Sequence, residues 1–161
     1  MMKFARNVNL FVRKCTRRAL QKSKKPQRIV VDTNLWISFL IGRRLGALLE
    51  LFRNIEYDFV STQIMRDEIH NVALRPKFRK YFSEDAVKAL DNWLVLHTLN
   101  FDLDDIPQRC RDPKDDYLLE LAIKSKAIYL VSGDDDLLDI GEIEGCRIMT
   151  FSRFLQEVGL F

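Results

Sequence analysis

Two apolar runs that end in acid constrain this chain more than any other feature. Ile29-Val30-Val31 runs directly into Asp32, and Ile128-Tyr129-Leu130-Val131 runs through Ser132-Gly133 into Asp134. A continuous apolar run, with no polar alternation, suits a strand buried on both faces of a parallel sheet. Each run leads into a helical pattern. In open α/β sheets, ligands bind beyond the carboxyl ends of such strands.

The remaining pattern agrees. Strands are expected at 28–32, 58–61, 127–132 and 147–150. Helices are expected at 34–41, 44–53, 62–74, 84–97, 114–126 and 151–158, with a short one after Asp134. Pro76 ends the third of these helices. Ser83 is placed to cap the fourth, with Asp85 in its first turn. Strands alternating with helices define an α/β class, a three-layer α/β/α arrangement around a central parallel sheet.

Charge divides the chain. Residues 1–28 hold ten Lys/Arg and no acid, whereas the rest carries 16 basic against 23 acidic residues. The expected organisation is a basic arm over 1–27 and one globular domain over 28–161. Phe4, Val8, Phe11, Cys15 and Ala19 recur in the arm at helical spacing. The arm is either a solvated extension or a contact for phosphates or an anionic partner. Cys15, Cys110 and Cys146 match no metal or redox spacing, and each is expected to act as a small hydrophobe in a reducing compartment. No apolar run approaches the roughly 20 residues that span a bilayer. The expected setting is cytoplasmic, with no membrane partner.

Four acids stand where a core would prefer none. Asp32 and Asp134 each follow a buried strand, and either could cap the helix that comes next. Asp134, Asp135 and Asp136 together exceed what a cap needs, and their repulsion calls for a counter-charge. Glu68 lies four residues after Ile64 and four before Val72, within a helical apolar stripe that excludes Asp67 and His70. A carboxylate there is costly unless paired or bound to metal; the bland alternative is a marginal Glu paired with an Arg. Asp115 precedes Leu118, Leu119 and Ala122 by three, four and seven residues, so it points inward. Asp116, about 100° further around, should be the more exposed. Either also suits the first turn of a helix electrostatically. An all-oxygen set of this kind favours Mg²⁺ or Mn²⁺ over zinc.

The chain resembles the PIN-domain family, in particular its bacterial branch of VapC-like ribonucleases described as toxins of toxin–antitoxin pairs. The likeness covers about residues 28–155. It rests on Arg28-Ile29-Val30-Val31-Asp32-Thr33-Asn34, on Asp67-Glu68-Ile69 with Arg75-Pro76-Lys77-Phe78, on Arg111-Asp112-Pro113-Lys114-Asp115-Asp116, and on Val131-Ser132-Gly133-Asp134-Asp135-Asp136-Leu137-Leu138. The resemblance implies a PIN fold and a metal-dependent nuclease acting on RNA, the toxin of a type II pair. The family's acidic quartet maps onto Asp32, Glu68, Asp115 and Asp134. Asp116 and Asp136 are further candidate metal ligands, and Asp112 an accessory. The basic arm lies outside the pattern.

Hydrolysis of RNA phosphodiesters with Mg²⁺ or Mn²⁺ is therefore the expected activity. Asn34 and Ser132 either orient water or phosphate or simply cap helices. The expected partners are RNA, a cognate antitoxin and a second copy of the chain. Trp36, Phe39 and Trp93 are either core or the surface that receives a partner. The rival is a degenerate PIN-like module that holds a partner or RNA without cutting. Two other enzyme classes fit poorly. Asn34 replaces the second Asp of haloacid-dehalogenase-like phosphatases, and Phe151-Ser152 stand where a response-regulator receiver needs a late Lys.

Overall fold

A computed structural model describes residues 26–42, 45–54, 56–78 and 80–160. The arm, with its expected helix and Cys15, lies outside the described residues apart from its last two positions.

The first buried run forms β1 (Gln27–Val31), followed by α1 (Thr33–Ile41) and α2 (Leu45–Arg53). Then come β2 (Tyr57–Ser61), α3 (Gln63–Ala73), α4 (Glu84–His97) and β3 (Leu99–Asn100). The second half holds α5 (Asp116–Ser125), β4 (Tyr129–Val131), α6 (Asp135–Leu138), β5 (Glu142–Ile143), β6 (Cys146–Met149) and α7 (Phe151–Glu157). Ser83 accepts from the Ala86 amide at 3.2 Å, so α4 has the cap the sequence calls for.

The six strands form one sheet in the order β3-β2-β1-β4-β6-β5. All neighbouring pairs are parallel except β5 with β6, an antiparallel edge hairpin. Helices flank the sheet, with α5 packed against β1, β2 and β4. β3 and β5 escape sequence reading because two residues cannot display a period. No helix among the described residues is long and apolar enough to cross a membrane.

The core explains the aromatic residues. Trp36, Phe39 and Trp93 are 1%, 1% and 2% exposed. Of the two readings, core or partner surface, the structure shows the core. Phe52 stacks on Phe59 at 3.9 Å between centroids, and Trp36 and Trp93 close around the pair at 5.5 and 4.6 Å from Phe52. Such edge and offset contacts favour one arrangement of the core beyond burial alone. Cys110 and Cys146 are buried as expected; burial pushes the Cys146 thiol up to about 12, so it stays protonated.

The topology decides where a ligand can enter. From β1 the chain crosses to β2 on one side, while β4 adds on the other. The sheet order therefore reverses between β1 and β4, and a crevice opens beyond their carboxyl ends. Val31 and Val131 are register partners, so the residues that follow them emerge side by side.

Candidate metal centre

Asp32 and Ser132 sit at that crevice. The Asp32 amide donates to Val131 O at 3.0 Å, continuing the sheet by one residue. The Asp32 side chain caps α1: Oδ1 accepts from the Asn34 amide at 2.8 Å. Its other oxygen accepts from Ser132 Oγ at 2.5 Å. Ser132 Oγ also accepts from the Asp134 amide at 3.0 Å, and Asp134 caps α6 through Asp136 N at 2.9 Å. Ser132 thus ties the two strand ends together. Both acids cap a helix, and the Asp134 charge acts on Asp32. Asn34 is exposed and contributes its amide to the cap. Gly133 is absent from the left-handed residues among those described, so this turn does not need a glycine's freedom.

Glu68 is half-buried on α3 at the margin of its buried face, which comprises Met65, Arg66, Ile69, Val72 and Ala73. Ile64, counted in the apolar stripe, is 38% exposed, so that face is rotated slightly from the sequence reading. No Arg pairs with Glu68 among the described residues. Instead Oε2 accepts from Tyr117 Oη at 2.5 Å and from Thr33 Oγ1 at 3.0 Å, and the two hydroxyl oxygens lie 2.9 Å apart. Both hydroxyl residues are buried. Burial, then the Glu68 charge, raises the Tyr117 pKa, so the phenol holds its proton for donation. Sequence reading missed Thr33 and Tyr117. The available signal was adjacency: each follows a quartet acid by one or two residues.

The pair Asp115 and Asp116 divides its labour. Pro113–Asp115 is a 3₁₀ turn capped by Asp112, which accepts from the Lys114 amide at 3.0 Å. Asp115 is half-buried and faces the cluster. Its pKa is pushed up to about 6 by burial and then by Asp134, Asp32, Asp112 and Glu68, all of them acids. Asp116 corrects the expectation of greater exposure: it is 2% exposed. Its Oδ1 accepts from the amides of Arg109 and Cys110 at 2.8 and 2.6 Å, folding the preceding loop onto α5. The periodicity argument assumed a helix that begins at 114 and knew nothing of that loop.

The acidic run after β4 has its counter-charge. Arg111 bridges Asp136 at 2.9 Å and Asp139 at 3.2 Å. Asp135 is exposed.

The electrostatics join these pieces. Asp32 is raised by desolvation above all, against its bonds from Ser132 and Asn34, with Glu68 and Asp134 adding repulsion. The charges that act most on Asp32 and Asp115 come from the other acids of the set and from Asp112. Among the described residues, no three His, Cys, Asp or Glu side chains form a ready-made metal cage. A mutually repelling, hydroxyl-braced set of carboxylates is a fitting donor set for a hard cation.

A family model described as PIN domain matches residues 28–136. The chain is also 32% identical, over 123 residues, to uncharacterized protein MJ1680 of Methanocaldococcus jannaschii, covering 70% of this chain and 74% of that protein.

Proposed function

Because this chain belongs to the PIN domain family, a family of nuclease type, we propose that it is a divalent-metal-dependent endoribonuclease. The observation that carries this reading is the mutual repulsion of Asp32, Glu68, Asp115 and Asp134 at the sheet's switch point. Without a cation, such a cluster would repel an RNA backbone.

Asp32 and Asp134 would be the main ligands of Mg²⁺ or Mn²⁺, with Glu68 and Asp115 completing the site or holding its waters. Bound there, the ion would lower the pKa of water and offset charge in an in-line displacement at phosphorus. Ser132 fixes the orientation of Asp32, and Tyr117 with Thr33 fixes that of Glu68. Asp115, with a pKa raised to about 6, exchanges its carboxyl proton close to neutral pH. Asp116 acts as the anchor of the 109–112 loop rather than as a ligand, and Asp136 is held off by Arg111. Asp112 acts through the turn that presents Asp115, and Asn34 stands at the entry to the site.

The finer reading is a cytoplasmic toxin of a type II pair, silenced by an antitoxin segment that offers Arg or Lys to the acids. It rests on likeness to the bacterial toxin branch, and a small DNA-binding protein encoded beside this gene would support it. The rival, a module that holds RNA without cutting, draws on the lack of a ready-made cage. The complete quartet weighs against it.

Cleavage of labelled RNA by the full-length protein and by Asp32→Asn tests the assignment. Metal-dependent cleavage lost in the variant is expected; equal activity in the two would overturn the proposal.

A further inference from the structure

Along the same two helices, α1 and α3, lies a groove of about 490 Å³. Its floor includes Ile37 of α1 and Val72 of α3, and Asn34 stands at its end. These helices also deliver the acids. Asn34 N is bonded to Asp32 Oδ1, and Val72 follows Glu68 by one helical turn. The groove therefore begins beside the candidate metal centre.

Its far wall differs in character from the acidic edge. Residues 75–81 read Arg-Pro-Lys-Phe-Arg-Lys-Tyr, with four basic residues, two aromatics and no acid. Arg75, Lys77, Phe78 and Tyr81 all line the groove. Arg75 and Lys77 are exposed and make no ion pair with a described residue, and the ammonium groups of Lys77 and Lys80 rest over the Phe78 and Tyr81 rings at 4.8 Å, from which an incoming base and phosphate would displace them. Phe78 and Tyr81 are half-buried, with ring centroids 6.5 Å apart. The segment is braced: Phe78 N donates to Arg75 O and Tyr81 N to Phe78 O, both at 2.8 Å, and Phe82 N to Phe78 O at 3.1 Å, with Phe82 buried. The rings are thus presented by a fixed turn.

Cations alternating with anchored aromatic faces, beside an acidic centre, match the chemistry of a single nucleic-acid strand. Cations follow the phosphates, and aromatic faces stack bases with little sequence preference. We propose that this groove binds the single-stranded RNA next to the scissile phosphate, with Arg75 and Lys77 on the backbone and Phe78 and Tyr81 under the bases. The inference rests on the nuclease reading for its substrate and goes beyond it in assigning the residues that hold the strand. Duplex bases are already stacked on one another and cannot use the rings.

The test uses full-length protein carrying Asp32→Asn, in Mg²⁺, with a fluorescein-labelled 12-nucleotide RNA and the same strand in a duplex. Anisotropy reports affinity across a salt series. Arg75→Ala with Lys77→Ala should weaken single-strand binding and flatten the salt slope by about 1.4, at about 0.7 per phosphate contact. Phe78→Ala should weaken it about 10-fold, as expected for one lost stacked base. Phe78→Leu, which keeps the apolar contact with the core, should lose a similar factor and separates stacking from misfolding. Duplex affinity should hardly respond to either Phe78 variant. Parental single-strand affinity in the basic and Phe78 variants would assign the groove to another occupant, such as an acidic protein, and overturn the proposal. Equal losses for strand and duplex would overturn it too. Gels of the parallel samples with and without Asp32→Asn report cleavage separately, so a failed nuclease assignment is distinguishable from a failed groove.

Discussion

Ser132 Oγ donates to Asp32 Oδ2 at 2.5 Å, linking residues 100 positions apart across the seam between β1 and β4. This bond favours the ionised form of Asp32 against its burial. Ser132→Ala should therefore push the Asp32 pKa further up. A hydrogen bond to a charged group contributes roughly 1.5–3 kcal/mol, so the acid limb of a cleavage profile should move up by about one pH unit or more. A pH–rate series checks this. An unmoved limb would mean that Asp32 does not limit activity at low pH.

Asp115 makes the metal-free protein sensitive to pH. Its folded pKa of about 6 exceeds the ordinary carboxylate value, so between the two the folded state holds a proton that the unfolded chain has released. Stability from this group is full below the ordinary value of about 4 and falls as pH rises toward about 6. Thermal melts in EDTA should show a lower Tm at pH 7.5 than at pH 5, with a smaller drop in Asp115→Asn. Added Mn²⁺ should restore Tm at pH 7.5 and do little at pH 4.

Asp115 and Asp116 should part company under mutation. Asp116→Ala leaves two amides without their acceptor, a loss of about 3 kcal/mol in urea unfolding if each costs about 1–3 kcal/mol. Asp115→Asn relieves repulsion and should stabilise the metal-free protein at pH 7.5 while weakening Mn²⁺ binding. The reverse pattern would exchange their roles.

Tyr117→Phe removes one of the two donors to Glu68 Oε2. A stability loss of about 1–2 kcal/mol is expected from that deletion. Thr33→Val with Tyr117→Phe should show a coupling between the two, since the hydroxyls share one oxygen. A double-mutant cycle by urea unfolding measures it, and simple additivity would argue against a shared network.

The sequence carried the sheet and the acids unequally. Ile29-Val30-Val31 revealed β1 because a strand buried on both faces has to be apolar throughout. Helical phase favours Glu68 over Asp67 and Asp115 over Asp116, but Asp115 sits in the 3₁₀ turn before α5 and not on the helix that the phase assumes. Asp116 failed that logic because its partners, the Arg109 and Cys110 amides, lie in a loop with no period. Trp36 and Phe39 were ambiguous because α1 is buried on most of its surface, so its pattern shows no clear polar face. Thr33 and Tyr117 acquire meaning only when α1, α3 and α5 meet at Glu68, a tertiary fact that neither residue advertises.

The most direct test of the carboxylate centre is calorimetric titration of Mn²⁺ into the full-length protein and into Asp32→Asn, Glu68→Gln, Asp115→Asn, Asp134→Asn combined. The parent should bind Mn²⁺ near neutral pH, more weakly as pH falls below about 6, and the quadruple variant should lose that binding while remaining folded. Equal Mn²⁺ binding by the two folded proteins, or none by the parent, would contradict a metal centre at these four acids.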